Sequence, residues 1–185
     1  MNARRVVNRV LSVAASRWRH LLGALAGTRF IAITGSAGKT TTATLLTAAL
    51  RVSGRVRHSD RLIGRLNSPR FAARMVLSTT PLHRFCVCEF GTGRPGTLSG
   101  YVQAVRPDIG VVTHVEGDHY AAFRGLDATA IEKRVLIETL PPEGTAVLNA
   151  DDPRVAAMRG CTQARVLTFG LGSGADVRGD DVTGA

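Results

Sequence analysis

An α/β fold built on a doubly wound, mainly parallel sheet is predicted by three features of the sequence. An apolar run, Phe30 to Ile33, breaks at a glycine-flanked turn and resumes as helix formers from Ala43 to Leu50. Similar short apolar runs recur downstream, each separated from the next by a helical pattern. Polar residues stand at the carboxyl ends of those runs, where open α/β sheets gather their ligands. A helix precedes the sheet.

That helix occupies residues 1–28 and is arginine-rich and amphipathic; the domain proper follows at 29–185. Val6, Val7, Val10, Leu11, Ala14, Trp18, Leu21, Leu22 and Leu25 recur at helical spacing, with Arg4, Arg5, Arg9, Arg17 and Arg19 between them. Gly23 and Gly27 let the helix end before the first strand. Ala24-Leu25-Ala26 resembles a signal-peptide cleavage triplet. Against that, Arg17, Arg19 and His20 interrupt an apolar run too short for a secretory core or a membrane span. Two readings stand: the helix packs on the domain, or residues 1–27 make peripheral contact with anionic lipid.

The stretch Phe30-Ile31-Ala32-Ile33-Thr34-Gly35-Ser36-Ala37-Gly38-Lys39-Thr40-Thr41-Thr42 organises the rest. Backbone N–H groups of such a turn converge at a helix start, where the dipole favours anions. The chemistry predicted is phosphate binding by Gly35, Ser36, Ala37, Gly38, Lys39, Thr40 and Thr41. Lys39 reaches the outer phosphates, and the Thr40 hydroxyl ligates Mg²⁺. The spacing, G-x-x-G-K-T-T, departs from the general phosphate loop because Ile33 sits where its first glycine belongs.

Charge and composition narrow the function classes. Of 185 residues 44% are hydrophobic, enough for a core, and the net charge is +10. Residues 1–59 hold ten basic residues and no acid; beyond them, basic and acidic residues cancel. Only Trp18 and Phe30 are aromatic in that basic third, which argues against a nucleic-acid partner. Arginine supplies 22 of the 24 basic residues; the two lysines are Lys39 and Lys133. Lysine should survive such a bias where a compact primary amine is required, which marks Lys133 before any motif does. Cys86, Cys88 and Cys161 are odd in number, and two share one strand, so reduced thiols and a cytoplasmic location are expected.

Downstream, Gly54 to Asp60 reads as a second strand and Leu66-Asn67-Ser68-Pro69 as a loop before a helix from Arg70 to Leu77. Phe85-Cys86-Val87-Cys88-Glu89 is an apolar strand ending in a carboxylate, the pattern that holds Mg²⁺ beside a phosphate loop. A solvent-facing glutamate on an edge strand is the competing reading. Thr97 to Val105 is helical, and Asp108 to Val115 is another buried strand that delivers Glu116, Asp118, His119 and Tyr120 to the same end of the sheet. His119 there is a phosphate or metal partner, or a structural hydrogen-bonder. Asp127 reads as the N-cap of a helix from Ala128 to Leu140 that carries Lys133. Thr145 to Leu148 and Val166 to Phe169 are strands flanking a short helix, Arg154 to Met158, and Ala175 onward is strand-like.

Several motifs together resemble one family. Thr34 to Thr41, the strand ending in Glu89, Arg106-Pro107-Asp108-Ile109-Gly110-Val111-Val112-Thr113, His119, Ala130-Ile131-Glu132-Lys133 and Val147-Leu148-Asn149-Ala150-Asp151-Asp152-Pro153 occur in the order found in the central domain of Mur ligases. They are most like the UDP-MurNAc-tripeptide–D-alanyl-D-alanine ligase branch and the Mur-like half of cyanophycin synthetase. The resemblance covers residues 29 to 185, and the shortened phosphate loop is the family's own form. It implies an ATP-dependent, ADP-forming amide ligase of peptidoglycan-type chemistry. The ATP γ-phosphate passes to a substrate carboxylate, an amine attacks the acyl phosphate, and phosphate leaves.

Carried over by position, the resemblance implies that Lys39 holds the β- and γ-phosphates and that Thr40 and Glu89 hold one Mg²⁺. It likewise implies that His119 and a carbamylated Lys133 hold a second, and that Asn149 and Asp152 lie near adenine. The family usually has asparagine at the positions of Ala37 and His114. The N-terminal substrate domain, the end of the central domain and the amine-bringing C-terminal domain are not represented. The chain therefore reads as an incomplete ligase, expected to bind ATP–Mg²⁺ weakly and not to complete amide synthesis from its small-molecule carboxylate and amine unaided. A P-loop ATPase driving a partner, or a non-catalytic nucleotide-binding module, would share Lys39, Thr40 and Glu89 but not require Lys133.

Overall fold

A computed structural model describes residues 3–58, 68–117 and 125–180. Seven strands among these residues form one parallel sheet. They are β1 Arg29–Thr34, β2 Val56–His58, β3 Phe85–Glu89, β4 Ile109–Val112, β5 Thr145–Asn149, β6 Arg165–Gly170 and β7 Val177–Arg178, in the order β2-β3-β1-β4-β5-β6-β7. The helices are α1 Ala3–Ala26, α2 Lys39–Leu50, α3 Pro69–Leu77, α4 Thr97–Val105, α5 Leu126–Glu138 and α6 Pro153–Ala156, which runs on into a 3₁₀ turn at Ala157–Cys161.

The central strands are apolar on both sides because both sides are covered. Phe30 and Ala32 of β1 face a core shared with α1, α3, α4 and α5, while Ile31 and Ile33 face α2. Cys86 and Cys88 lie on the first side, free and buried, with sulfurs 3.8 Å apart. Glycine at position 110 lets α5 approach: a Cβ there would meet Leu136 at 3.1 Å and Leu140 at 3.2 Å.

One side of α1 packs on the domain, as the first of the two readings expects. Ala15 and Leu22 are buried, and Leu11 and Trp18 pack against the core. The Trp18 indole donates to Thr79 O at 2.8 Å. Arg19 donates to Arg106 O at 3.1 Å, pairs with Asp108 at 2.6 Å and lies 4.3 Å over the Phe30 ring. The other Asp108 oxygen accepts from Phe30 N at 2.7 Å, so one carboxylate ties α1 to β1 and β4. No helix among the described residues is long and apolar enough to cross a membrane.

Boundaries shift where tertiary bonds compete with the ladder. The second strand shortens to Val56–His58, Ser59 and Asp60 lying outside the described residues. Strand β4 stops at Val112 because Thr113 to Glu116 turn to the loop after β1. Helix α5 starts at Leu126, after a turn at Gly125, so Asp127 is in its first turn and not its N-cap; there it accepts from Arg154 Nε at 3.0 Å.

Tyr101 stacks on Phe90 with ring centroids 5.2 Å apart, and among the described residues its buried hydroxyl has no hydrogen-bond partner. Burial, then the nearby Glu132 carboxylate, pushes its phenol up to about 12. A raised folded-state value leaves stability intact below about pH 10 and removes it as pH climbs towards 12. Tyr101→Phe is expected to abolish that alkaline loss and to leave neutral-pH stability within about 1 kcal/mol, read from denaturation midpoints at about pH 8 and pH 11.

Candidate functional site

Strand β1 lies between β3 and β4, so the loop after it is flanked by the ends of both. The strand order reverses here, and open α/β sheets bind ligands in the crevice this creates. Gly35 has φ 154°, and a Cβ on it would lie 1.8 Å from Thr113 Oγ1, so glycine alone fits. Gly38, at φ 76°, turns the chain into α2, whose first N–H groups have no side-chain cap. The positive end of the helix dipole therefore faces the loop, ready for an anion.

Lys39 Nζ folds back over the loop, donating to Gly35 O at 2.8 Å and Ser36 O at 2.9 Å. The Thr40 hydroxyl lies 3.1 and 3.0 Å from the two carboxylate oxygens of Glu89. Strand β3 is internal, paired with both β2 and β1, which removes the edge-strand reading of Glu89. A hydroxyl and a carboxylate converging beside a phosphate loop fit Mg²⁺, which takes one or two protein oxygens and fills its shell with phosphate and water. Among the described residues, no three His, Cys, Asp or Glu side chains cluster as a metal site. Thr41 is exposed in the first turn of α2.

A clasp that sequence reasoning missed holds the loop. Ser36 N donates to His114 O at 2.7 Å, Ser36 Oγ to Glu116 O at 3.0 Å, and Glu116 N back to Ser36 Oγ at 2.9 Å. Thr113 Oγ1 donates to Ala37 O at 2.6 Å. The Thr113 hydroxyl thus joins Ser36 in bracing the turn, at its Ala37 carbonyl.

The remaining predicted residues are placed as follows. Asn149 Nδ2 donates to Thr113 O at 2.9 Å, and its oxygen accepts from Asp151 N. Asp152 is buried, capping α6 through Arg154 N and Val155 N while accepting from Val115 N and His114 Nδ1, each at 2.7 Å. Both side chains thus brace the far wall of the crevice through backbone. His114, where asparagine was expected, spends its ring on Asp152. Lys133 is buried on α5. Its neighbour Glu132 is also buried, accepting from Gly96 N and Leu98 N at 2.7 Å each and so capping α4. No local pattern could have foretold that cap, since its partners are 34 and 36 residues away. His119, with Asp118 and Tyr120, lies outside the described residues.

A parallel sheet with a glycine loop at its switch point, a lysine over that loop and an acid at the adjacent strand end defines a P-loop α/β domain. More narrowly, the chain belongs to the Mur ligase family: the Mur ligase middle domain matches residues 33–184. It is 34% identical over 148 residues to the UDP-N-acetylmuramoyl-tripeptide–D-alanyl-D-alanine ligase of Mycobacterium leprae, covering 80% of this chain and 28% of that one. Over 154 residues it is 34% identical to cyanophycin synthetase of Synechocystis, covering 76% of this chain and 17% of the synthetase. A crystal structure of MurF from Acinetobacter baumannii superposes with TM-score 0.80 at 25% identity, covering 91% of this chain and 36% of that one. The chain thus spans about a third or less of the length of each of these relatives.

Proposed function

We propose that this chain is the ATP–Mg²⁺-binding part of a ligase that joins a small-molecule carboxylate to an amine through an acyl phosphate, as the names of its relatives suggest. The observation that carries the reading is the convergence of Thr40 and Glu89 beneath a glycine loop bearing Lys39, in a Mur ligase middle domain. The backbone from Gly35 to Thr41 and the start of α2 would cradle the phosphates. Lys39 would exchange its two carbonyl partners for β- and γ-phosphate oxygens. Charge placement of this kind is the main catalytic resource for phosphoryl transfer.

Thr40 and Glu89 would hold one Mg²⁺ beside those phosphates. Lys133, carbamylated, and His119 would hold a second Mg²⁺. When bound, Mg²⁺ neutralises the charge that develops on the transferring phosphoryl group. Asn149 and Asp152 would lie near adenine, their bonds to Thr113 O and Val115 N fixing the backbone there.

Calorimetric titration of the chain with ATP is expected to show binding that requires Mg²⁺ and is lost in Glu89→Gln. Binding of equal strength without Mg²⁺ would refute the assignment of Glu89. At the level of chemistry, the chain is joined to the N-terminal and C-terminal parts of a relative that it does not itself span, and ADP release is followed. Release that needs both a muramoyl-peptide carboxylate and an amine supports the ligase. Release that needs neither marks an ATPase, and nucleotide binding with no release marks a binding module.

A further inference from the structure

We propose that the outward face of α1 docks on an anionic lipid membrane and holds the domain at a bilayer surface, independently of the reaction it serves. α1 is apolar on two sides. Ala15, Trp18 and Leu22 face the core, yet Val10, Val13, Leu21 and Leu25 are 62, 47, 45 and 81% exposed, with exposed Ala14 and Ala24 among them. At 100° per residue these six fall within an arc of about 120°, and Val10 to Leu25 spans about 22 Å along the helix. The helix cannot roll to bury this stripe, because Trp18 and Arg19 are bonded into the domain on the other side.

The charge around the stripe selects the occupant. Arg17 is exposed within the arc, and Arg74 is exposed on α3, the helix against which α1 packs. Residues 1–59 contain ten basic side chains and no carboxylate. Asp108, near the end of α1, is already paired with Arg19. Glu143, with His20 and Ala24, lines a cavity of about 520 Å³ beside this end of α1. A convex aliphatic stripe with Arg17 inside it and Arg74 exposed on the helix packed beside it suits the boundary of headgroups and acyl chains: the aliphatic groups enter and the long cationic side chains reach back to phosphate. With no helix of spanning length and apolarity among the described residues, α1 would lie in the surface.

The test is co-sedimentation of the full chain with vesicles of phosphatidylcholine, alone or with about one-third phosphatidylglycerol. Binding is expected only to the anionic vesicles and should weaken at high salt. Leu21→Glu/Leu25→Glu should lower the bound fraction at least about tenfold with an unchanged melting temperature. Leu45→Glu, exposed on α2 across the sheet, should leave binding unaltered. Should the double variant fail to fold, Arg17→Glu must reduce binding in its place. Absence of binding to anionic vesicles, or equal binding by the variants, overturns the proposal. So does light scattering that finds a dimer in the wild type and a monomer in the double variant, since a second copy would then be the occupant.

Discussion

Lys39→Ala is expected to weaken ATP–Mg²⁺ binding about a hundredfold, close to 3 kcal/mol, while leaving the fold's melting temperature nearly unchanged. The ammonium is the cation that the structure places over the loop, and its present partners, Gly35 O and Ser36 O, are carbonyls of that loop. Under the proposed function, removing it would take away charge-assisted bonds to two phosphates at once. The effect on stability is small because these carbonyls sit at an open crevice where water replaces the lysine. Lys39→Arg should restore little, because the planar guanidinium cannot occupy the compact position between two acceptors at 2.8 and 2.9 Å. In a chain where arginine has replaced lysine almost everywhere, that failure is the informative half of the experiment. Calorimetric titration beside thermal melts separates the two effects.

Gly35→Ala should act through the fold, costing about 2–6 kcal/mol and removing nucleotide binding with it. Two penalties combine. At φ 154° an alanine is strained by roughly 1–3 kcal/mol. Its Cβ would also lie 1.8 Å from Thr113 Oγ1, and that hydroxyl cannot move without dropping its bond to Ala37 O. Overpacking of this kind adds a further 1–3 kcal/mol. Adding Thr113→Ala should recover only part of the loss, because His114 N remains 3.1 Å from the new Cβ and the brace on Ala37 is gone. Chemical denaturation of the two variants measures both terms. A Gly35→Ala protein as stable as the parent would mean that the loop is free to re-form without its clasp.

Much of this molecule could be read from the chain as written. Strand and helix signals repeat within a few residues, at periods of 2 and 3.6, and the turn at Gly35–Gly38 carries its own backbone requirement. The parallel α/β class, the phosphate loop and the apolar strand ending in Glu89 follow from such local patterns, whereas the sheet order is what makes that strand internal. The scarcity of lysine singled out Lys39 and Lys133 with no geometry at all.

Other features exist only because β1 is inserted between β3 and β4. That order brings Ser36 to His114 and Glu116, and Gly35 to Thr113, across a separation of nearly eighty residues. It also decides that Asp152 serves as a buried cap shared by His114 and Val115, that Glu132 closes the start of α4, and that Asp108 binds α1 and β1 together. The amphipathic pattern of α1 was equally visible, but which apolar stripe faces inward depends on where Trp18 and Arg19 find partners. Local sequence determines which elements form, because their hydrogen bonds and side-chain periods close within one or two turns. Which elements become neighbours is settled by sheet order and packing, and the contacts that brace this crevice are made between such neighbours.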